Sequence, residues 1–261
     1  MIRVIVTGAA GKMGREVVKA VTAEPDMAVV AAVDPASVGT ALDDGNGSSL
    51  LVQGDLADTI ASFDADVLVD FTHPTVVGEN LRIAMAAGVD CVVGTTGISS
   101  DALEALAAEV PEGTCLFVAP NFAIGAVLMM RFATEAARYM PHVEIIELHH
   151  DRKADAPSGT ALRTAHLIAE TRREVPPAPG RETEVAEGAR GALVDDITIH
   201  SVRLPGLVAH QEVLFGGQGQ TLSLRHDSID RTSFMPGVIL AVREVRERSG
   251  LIVGLERLMG E

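Results

Sequence analysis

A glycine-rich turn between an apolar strand and a helix constrains the fold of this chain more than any other feature. The strand is expected over residues 2–6, and Gly8, Gly11 and Gly14 follow it before a helix expected over residues 15–23. The free N–H groups and the positive dipole end of such a helix suit a pyrophosphate, and glycine lets the backbone approach it closely. The pattern therefore predicts a dinucleotide-binding βαβ unit.

Asp34 strengthens this prediction because it ends the second predicted strand, twenty residues after Gly14. An acidic residue at this place typically hydrogen-bonds the ribose 2′-hydroxyl of the dinucleotide. The GxxGxxG spacing differs from the usual GxGxxG, and glycines alone also occur in ordinary turns. Asp34 would repel a 2′-phosphate and Lys12 would offset part of that repulsion, so we expect NADH to be preferred and NADPH accepted. A solvated loop charge is the alternative interpretation of Lys12.

Short apolar runs alternate with helical stretches through about residue 120, which predicts an α/β domain with a Rossmann-like parallel sheet. The predicted strands span residues 2–6, 28–33, 67–71, 91–93 and 116–118. Turn or polar residues follow their C-terminal ends, among them Gly8, Asp34, Thr72, Gly94, Thr95, Thr96, Pro120 and Asn121. Because ligands bind at the carboxyl ends of strands in open α/β sheets, we expect these residues to line one crevice.

The pattern changes after Asn121 and predicts a second, α+β domain with a mixed or antiparallel sheet. A helix to about residue 139, a strand over residues 143–149 and a helix from Ser158 come first. Residues 172–190 are rich in proline, glycine and charge, which is typical of a long mobile loop. Three strand-like runs then predict an antiparallel meander, at residues 197–204, 211–215 and 220–226, with turns at residues 205–206 and 216–217.

The C-terminal segment, residues 234–259, returns to a helical pattern and is expected to rejoin the first domain. The expected division is a dinucleotide-binding domain of residues 1–121 with 231–261, and a substrate-binding and oligomerisation domain of residues 122–230. The first domain would then be discontinuous in sequence.

The segment from His149 to Thr160 carries the densest set of chemical groups. It contains the adjacent histidines 149 and 150, then Lys153 and a helix start at Ser158. The helix start offers backbone N–H groups and a hydroxyl to a carboxylate, and Lys153 adds a cation. Two adjacent histidines alone are more often exposed polar residues than catalytic ones, so their combination with Lys153 and the helix start is what indicates a site.

A metal site is the alternative interpretation of the same segment, with ligands drawn from His149, His150, Asp151 and Asp155. It is disfavoured because a reductase with bound nicotinamide needs no metal, and because further histidines at ligand spacing are not evident. We therefore expect a nicotinamide dinucleotide and no metal.

Composition limits the partners and the location that can be expected. A net charge of −15 disfavours nucleic-acid binding, which depends on Lys and Arg. Cys91 and Cys115 lie in apolar runs and are expected to be buried thiols of a reducing compartment. Neither a signal peptide nor an apolar stretch near the ~20 residues that span a bilayer is evident. We therefore expect a cytoplasmic protein without a membrane partner.

Taken together, these motifs closely resemble the 4-hydroxy-tetrahydrodipicolinate reductase (dihydrodipicolinate reductase) family over nearly the whole chain. The matching runs are GAAGKMGR at residues 8–15, DFTHP at 70–74, GTTG at 94–97, APNFAIGA at 119–126, HHDRKADAPSGTA at 149–161 and DRTSFMPGV at 230–238. The histidine–lysine–SGTA run is the most specific of them.

The resemblance implies a role for each matching residue. It implies that the adenosine half and the pyrophosphate are bound by Gly8, Ala9, Ala10, Gly11, Lys12, Met13 and Asp34. It implies that the nicotinamide half is bound by Gly94, Thr95, Thr96, Ala119, Pro120, Asn121 and Phe122. His149 and Lys153 match the catalytic pair, and His150, Gly159 and Thr160 match the contacts to substrate carboxylates. Which member of the pair delivers the proton stays open.

Two departures from the family pattern bear on the cofactor. Lys12 stands where many members have Arg, and Pro35 stands where some members have an Arg suited to a 2′-phosphate. Both affect the expected preference for NADH over NADPH, and neither touches the histidine–lysine segment.

The function implied by the resemblance is NAD(P)H-dependent reduction of a cyclic imine dicarboxylate. The substrate would be 4-hydroxy-tetrahydrodipicolinate and the products tetrahydrodipicolinate and water, in the diaminopimelate route to lysine. An anionic substrate would explain a cationic pocket in an acidic chain. The resemblance also implies a homotetramer assembled through the sheet of the second domain.

Two other functions stay open from the residues alone. One is another NAD(P)-dependent dehydrogenase of small acids with this architecture, and it is disfavoured because neither Cys91 nor Cys115 lies in a turn that would present a nucleophile. The other is a dinucleotide sensor without catalytic activity. A sensor would not need His149, Lys153 and the Ser158 helix start together.

Overall fold

The computed structural model describes residues 1–173 and 183–260 of the chain. Residues 174–182, within the loop predicted over residues 172–190, lie outside the described residues. The chain forms two compact units, which we call unit 1 (Met1–Phe122 with Phe234–Glu261) and unit 2 (Ala123–Ser233). In the described part of the chain, no helix combines the length and apolarity needed to cross a membrane.

Unit 1 contains an eight-stranded sheet. Its strands are β1 (Ile2–Thr7), β2 (Met27–Val33), β3 (Ala41–Asp43), β4 (Ser49–Gln53), β5 (Val67–Asp70), β6 (Asp90–Val93), β7 (Cys115–Val118) and β13 (Gly250–Val253). They lie in the order β13-β7-β6-β5-β1-β2-β4-β3. Every neighbouring pair is parallel except β3 with β4. The Rossmann-like parallel sheet expected from the sequence is confirmed.

Burial explains why short apolar runs form the central strands of this sheet. Every residue of β5, β6 and β7 is buried, and runs without polar alternation are typical of strands covered on both faces. The helices of unit 1 are α1 (Lys12–Thr22), α2 (Leu56–Ser62), α3 (Val77–Ala86), α4 (Ser100–Glu109) and α7 (Met235–Glu244).

Two predictions about unit 1 are wrong in detail. Helix α1 begins at Lys12 rather than at residue 15, because Gly11 has extended backbone angles and serves as its N-cap. The C-terminal segment is not helical throughout, since α7 ends at Glu244 and β13 follows beside β7. Gly250, the first residue of β13, and Gly254, which follows the strand, both have positive φ, so a helix could not continue through this segment.

In the part of unit 2 that the structure describes, a mixed five-stranded sheet is accompanied by two helices. The strands are β8 (His142–His149), β9 (Ala192–Val194), β10 (Ile197–Arg203), β11 (Ala209–Gly217) and β12 (Gln220–Ser228), in the order β12-β11-β8-β10-β9. The helices are α5 (Ile124–Ala137) and α6 (Gly159–Thr171). Ser158 caps α6 by accepting a hydrogen bond from the Ala161 amide, as its place at the predicted helix start suggests.

The predicted antiparallel meander is wrong, because β8 lies between β10 and β11. Strand β10 pairs with β8 in parallel, whereas β11 pairs with β8 in the antiparallel sense. The connection over residues 204–208 therefore crosses the C-terminal end of β8, where His149 lies between Arg203 and Ala209. The hairpin turn between β11 and β12 also falls after residues 216–217, at Gly219, whose φ is +70°.

Replacing Gly237 in α7 by Ala should destabilise unit 1, because a Cβ there would overlap the backbone carbonyl oxygen of Phe122. We expect a loss of about 1–3 kcal/mol in the free energy of unfolding, measured by urea titration. Gly78→Ala in α3 is the matched control, since its Cβ would meet the Arg82 side chain only at ordinary contact distance. Equal stabilities of the two variants would contradict this account of the packing.

Candidate functional site

The cofactor residues expected from the sequence follow neighbouring strands of unit 1. Gly8 follows β1, Asp34 follows β2, Gly94 follows β6 and Ala119 follows β7. Strand β1 lies between β2 and β5, so the chain order reverses at β1. The carboxyl ends of strands at such a reversal are where open α/β sheets bind ligands.

The glycine-rich turn packs directly on the end of β5. Gly8 has a φ of +68°, and a Cβ there would overlap the carbonyl oxygen of Phe71. A Cβ on Gly14 would in turn overlap the carbonyl oxygen of Gly8, so α1 begins in contact with the turn. Gly11 has no side chain that could cap α1, which leaves the first helical N–H groups to other acceptors. This geometry fits the pyrophosphate of a dinucleotide.

The other residues of this turn differ in exposure. Ala9 is buried and Ala10 is partly buried. Lys12 is exposed and Met13 partly buried in the first turn of α1.

Asp34 braces the glycine-rich turn through a hydrogen bond to its backbone. One carboxylate oxygen accepts from the Ala10 amide at 3.2 Å, and the other accepts from the Ala36 amide at 3.1 Å. The Ala10 carbonyl accepts from Arg15 Nε at 2.9 Å, so both backbone polar groups of Ala10 are hydrogen-bonded. A carboxylate has about four acceptor positions, and Asp34 therefore retains the capacity to accept from a ribose hydroxyl.

Asp70 is a functional candidate that the sequence reasoning missed. It ends β5, is fully buried, and accepts hydrogen bonds from uncharged groups of strand β1, helix α3 and the segments after β5 and β6. Its donors are Thr7 Oγ1 at 2.8 Å, Thr72 N at 3.0 Å, Thr72 Oγ1 at 2.7 Å, Thr95 Oγ1 at 2.7 Å and Asn80 Nδ2 at 2.8 Å. An acidic residue at the end of an apolar strand was the available signal.

The nicotinamide-half candidates lie around an aromatic cluster. The Phe122 ring lies 5.8 Å from the Phe71 ring and 5.9 Å from the Phe117 ring, between centroids. A Cβ on Gly94 would overlap the Phe71 ring, so glycine is required there. The remaining candidates are Thr95 and Ala119, which are buried, Asn121, which is partly buried, and Thr96 and Pro120, which are exposed.

The catalytic candidates belong to unit 2, where His149 ends β8. Its Nδ1 atom contacts Oε2 of Glu147, two residues earlier on the same strand. The Glu147 side chain has no exposed surface, whereas that of His149 is 14% exposed. The sequence reasoning gave Glu147 no role, although a charged residue within an apolar strand was a visible signal.

Arg203 is the cationic partner of Glu147. Its Nη1 donates to Oε2 at 2.9 Å and its Nη2 donates to Oε1 at 2.8 Å, while Nη2 also donates to the Asp155 carbonyl at 2.7 Å. Burial alone would raise the pKa of Glu147, but the hydrogen bonds from His149 and Arg203 outweigh it and lower the pKa to about 2. Glu147 is therefore an ionised carboxylate inside the sheet.

The other substrate-site candidates of unit 2 lie after His149. His150 is exposed, and Gly159 and Thr160 form the first turn of α6. Lys153 Nζ donates to both carboxylate oxygens of Asp155, at 2.7 and 2.9 Å. Asp155 uses two of the three N–H donors of the Lys153 ammonium group, which leaves one for a substrate carboxylate.

Metal ligands are not clustered in this region. Within residues 1–173 and 183–260, no group of three or more His, Cys, Asp or Glu side chains is arranged to hold a metal ion. Asp155, one of the ligands considered for a metal, pairs instead with Lys153.

Comparisons with known proteins agree with one another over both units. The family profile described as "Dihydrodipicolinate reductase, N-terminus" matches residues 2–122, and the one described as "Dihydrodipicolinate reductase, C-terminus" matches residues 125–259. A Syntrophomonas wolfei protein named 4-hydroxy-tetrahydrodipicolinate reductase is 50% identical and covers 98% of each chain. A protein of that name from Moorella thermoacetica is 52% identical over 99% of this chain and 98% of its own.

Solved structures lead to the same family. The dipicolinate-bound dihydrodipicolinate reductase from Paenisporosarcina sp. TG-14 has a TM-score of 0.88 and 46% identity, covering 99% of this chain and 100% of that chain. An amine dehydrogenase from Mycobacterium smegmatis has a TM-score of 0.67 at 16% identity, covering 98% and 95%, and shares the fold alone. The profiles, the relatives and the structure together show that this chain belongs to the dihydrodipicolinate reductase family of oxidoreductases.

Proposed function

We propose that this protein reduces 4-hydroxy-tetrahydrodipicolinate to tetrahydrodipicolinate and water, in the diaminopimelate route to lysine. The observation that carries the proposal is the identity of about half of all residues, across both units, to proteins named for this reaction. The glycine-rich turn and the His149 segment supply the two kinds of site that the reaction requires.

Activity with the natural substrate is the direct test of this function. Freshly generated 4-hydroxy-tetrahydrodipicolinate should cause the protein to consume NADH, measured as loss of absorbance of the reduced nicotinamide. Small 2-hydroxy acids and aldehydes, tested with the oxidised and reduced cofactors respectively, should cause no comparable change. Turnover of one of these compounds instead would favour another small-acid dehydrogenase, and binding of NADH without any turnover would favour a sensor.

The cofactor is proposed to lie along the carboxyl ends of the unit 1 strands. When bound, NAD(P)H would supply a hydride from C4 of its nicotinamide ring. The turn at Gly8 and the start of α1 would bind the pyrophosphate, Asp34 would accept a ribose hydroxyl, and Gly94 would let the chain approach the nicotinamide half closely. The charge of Asp34 disfavours a 2′-phosphate, so NADH is the proposed preference, and the reaction needs no metal.

The substrate carboxylates are proposed to bind at the start of α6. Gly159 and Thr160 would offer backbone N–H groups at the positive end of the helix dipole, and His150 and Lys153 would add side-chain donors. The solved relative is described as bound to dipicolinate, a flat ring with two carboxylates. These groups give the acidic chain a local site for an anion.

His149 or Lys153 is proposed to supply the proton. Hydride addition to a conjugated ring carbon moves electrons toward the ring nitrogen and the neighbouring atom, which must then be protonated. His149 is fixed at the end of a strand, whereas Lys153 lies in a loop and is paired with Asp155. A positioned proton donor must keep a defined geometry, so His149 is the favoured donor and Lys153 the favoured carboxylate partner.

A cytoplasmic homotetramer is the proposed form of the protein. Strand β12 is an edge strand of the unit 2 sheet, and its first four residues, from Gln220 to Ser223, are exposed. Such an edge can pair with a second copy of the chain. The buried thiols of Cys91 and Cys115 are typical of a reducing compartment. Static light scattering would return four times the chain mass if the proposed assembly is correct.

Replacing Asp34 by Asn should shift the cofactor preference toward NADPH. The amide keeps an oxygen for the ribose and for the turn, while the charge that repels a 2′-phosphate is lost. Titration of both cofactors should show a lower Kd ratio of NADPH to NADH. Asp43→Asn is the matched control, because Asp43 is an exposed residue of unit 1 that also accepts from a backbone amide two residues later. An unchanged ratio for Asp34→Asn would remove the role given to this carboxylate.

Replacing His149 and replacing Lys153 should affect the steady-state kinetics in different ways. His149→Gln should lower kcat on the order of 10²–10⁴-fold with a modest change in KM, as expected for loss of general acid catalysis. Lys153→Ala should lower kcat and raise KM together, because a partner of the substrate charge is lost. Steady-state kinetics and NADH titration of both variants provide the measurements. NADH affinity should stay nearly constant, and a normal kcat for His149→Gln would assign the proton to Lys153 or to water.

A further inference from the structure

We propose that Glu147 is a positioning residue that holds the His149 ring with its Nδ1 atom protonated, so that Nε2 is the atom that exchanges a proton with the substrate. The inference rests on the proposed function, in which His149 supplies that proton.

Glu147 lies next to the His149 ring and also accepts a hydrogen bond from the Ser201 side chain of β10. Residues two apart on a strand point to the same face, so the Glu147 and His149 side chains share one face of β8. Strands β10 and β11 flank β8, placing Ser201 and Gln211 opposite Glu147. The carboxylate is fully buried in this position, out of contact with solvent.

The charge of Glu147 decides which atom of the contact carries the hydrogen. An ionised carboxylate can only accept hydrogen bonds, so the His149 Nδ1 atom that contacts it must be the donor. A neutral imidazole has a single N–H group, which leaves Nε2 with its lone pair. In the protonated ring, Nε2 carries the second hydrogen, and that hydrogen is the one free to leave.

The fixed tautomer has a direct consequence for the proton transfer. When the protonated ring gives up the Nε2 hydrogen, the product is the Nδ1–H tautomer that the carboxylate already holds. The ring therefore need not rotate or exchange its hydrogen during the step. An acidic residue behind a histidine serves the same purpose in other enzymes, where replacing it by an amide favours the wrong tautomer.

Arg203 and Ser158 fix the orientation of the carboxylate itself. Oε1 accepts from Arg203 Nη2 at 2.8 Å and from the Ser158 amide at 3.3 Å, while Oε2 accepts from Arg203 Nη1 at 2.9 Å and contacts His149. Glu147 therefore links the histidine to the N-cap residue of α6. One buried group fixes both the proposed proton donor and the proposed carboxylate-binding helix start.

This arrangement predicts how a Glu147→Gln side chain would orient. Both oxygens of Glu147 accept from Arg203, so one Arg203 N–H group loses its acceptor whichever way the amide turns. The amide oxygen should take the Oε1 position, because Arg203 Nη2 and the Ser158 amide can only donate there, whereas His149 Nδ1 can become an acceptor by changing tautomer. The NH₂ group should then take the Oε2 position. The NH₂ group would then donate to His149 Nδ1, which forces the hydrogen of the neutral ring onto Nε2. The substitution should thus switch the tautomer with little change in shape.

The strand also offers a matched control. Glu144 lies on β8 and, like Glu147, pairs with an arginine and a histidine, namely Arg190 and His200. Its side chain is 36% exposed, and its offset of three residues places it on the opposite face of the strand. Glu144→Gln removes an equivalent charge from the same strand without touching His149.

Solid-state ¹⁵N NMR of histidine-labelled protein tests the tautomer directly. The His149 signals are identified by their absence from the spectrum of His149→Gln. At mildly alkaline pH, where an ordinary histidine is neutral, the wild-type ring should show a protonated Nδ1 and a bare Nε2. Glu147→Gln should reverse the two, and Glu144→Gln should leave them as in the wild type. A neutral wild-type ring with a bare Nδ1 and a protonated Nε2 would overturn the proposal, even if Glu147→Gln did not fold.

Kinetics of the same variants test the functional consequence. Glu147→Gln should lower kcat on the order of 10²-fold with KM for the substrate changed only a few-fold, and Glu144→Gln should match the wild type. A purely structural Glu147 would instead lower the thermal midpoint while kcat per folded protein stayed normal, which contradicts the inference. If His149→Gln is inactive while Glu147→Gln keeps normal activity, the role proposed for Glu147 fails and the role proposed for His149 stands. If His149→Gln is fully active, the proposed role of His149 fails first.

Discussion

Hydrogen bonding to a buried carboxylate organises the candidate site in each unit. In unit 1, Asp70 ends β5 and binds groups from the ends of β1 and β6 and from helix α3. In unit 2, Glu147 lies within β8 and binds a histidine, an arginine and the start of α6. A buried charge is costly unless its acceptor positions are satisfied, so the surrounding loops are held in the geometry that satisfies them.

The two carboxylates are satisfied by different chemistry. The partners of Asp70 are hydroxyl, amide and backbone N–H groups, which donate hydrogen bonds without bringing a charge. Glu147 has Arg203 as a bidentate cation, which fixes its orientation as well as its ionisation.

Much of this protein could be predicted from local sequence patterns. The central strands of unit 1, the turn at Gly8 and the Ser158 cap follow from apolar runs, glycine spacing and capping chemistry, and the structure has them. Family membership followed from motifs such as the run after His149, and the comparisons confirm it. Strand β13 was missed because three apolar residues after a helix resemble a continuing helix until the flanking Gly250 and Gly254 are considered.

What the sequence by itself determined is the set of elements and the chemical groups at their ends, because helix periods, apolar runs and caps are local properties of the chain. Only the tertiary structure decided which strands are neighbours. The insertion of β8 between β10 and β11 brings Arg203 to Glu147, across 56 residues of sequence. No local pattern encodes that pairing, since the energy that selects it comes from burying β8 between its two neighbours and from satisfying the Glu147 charge.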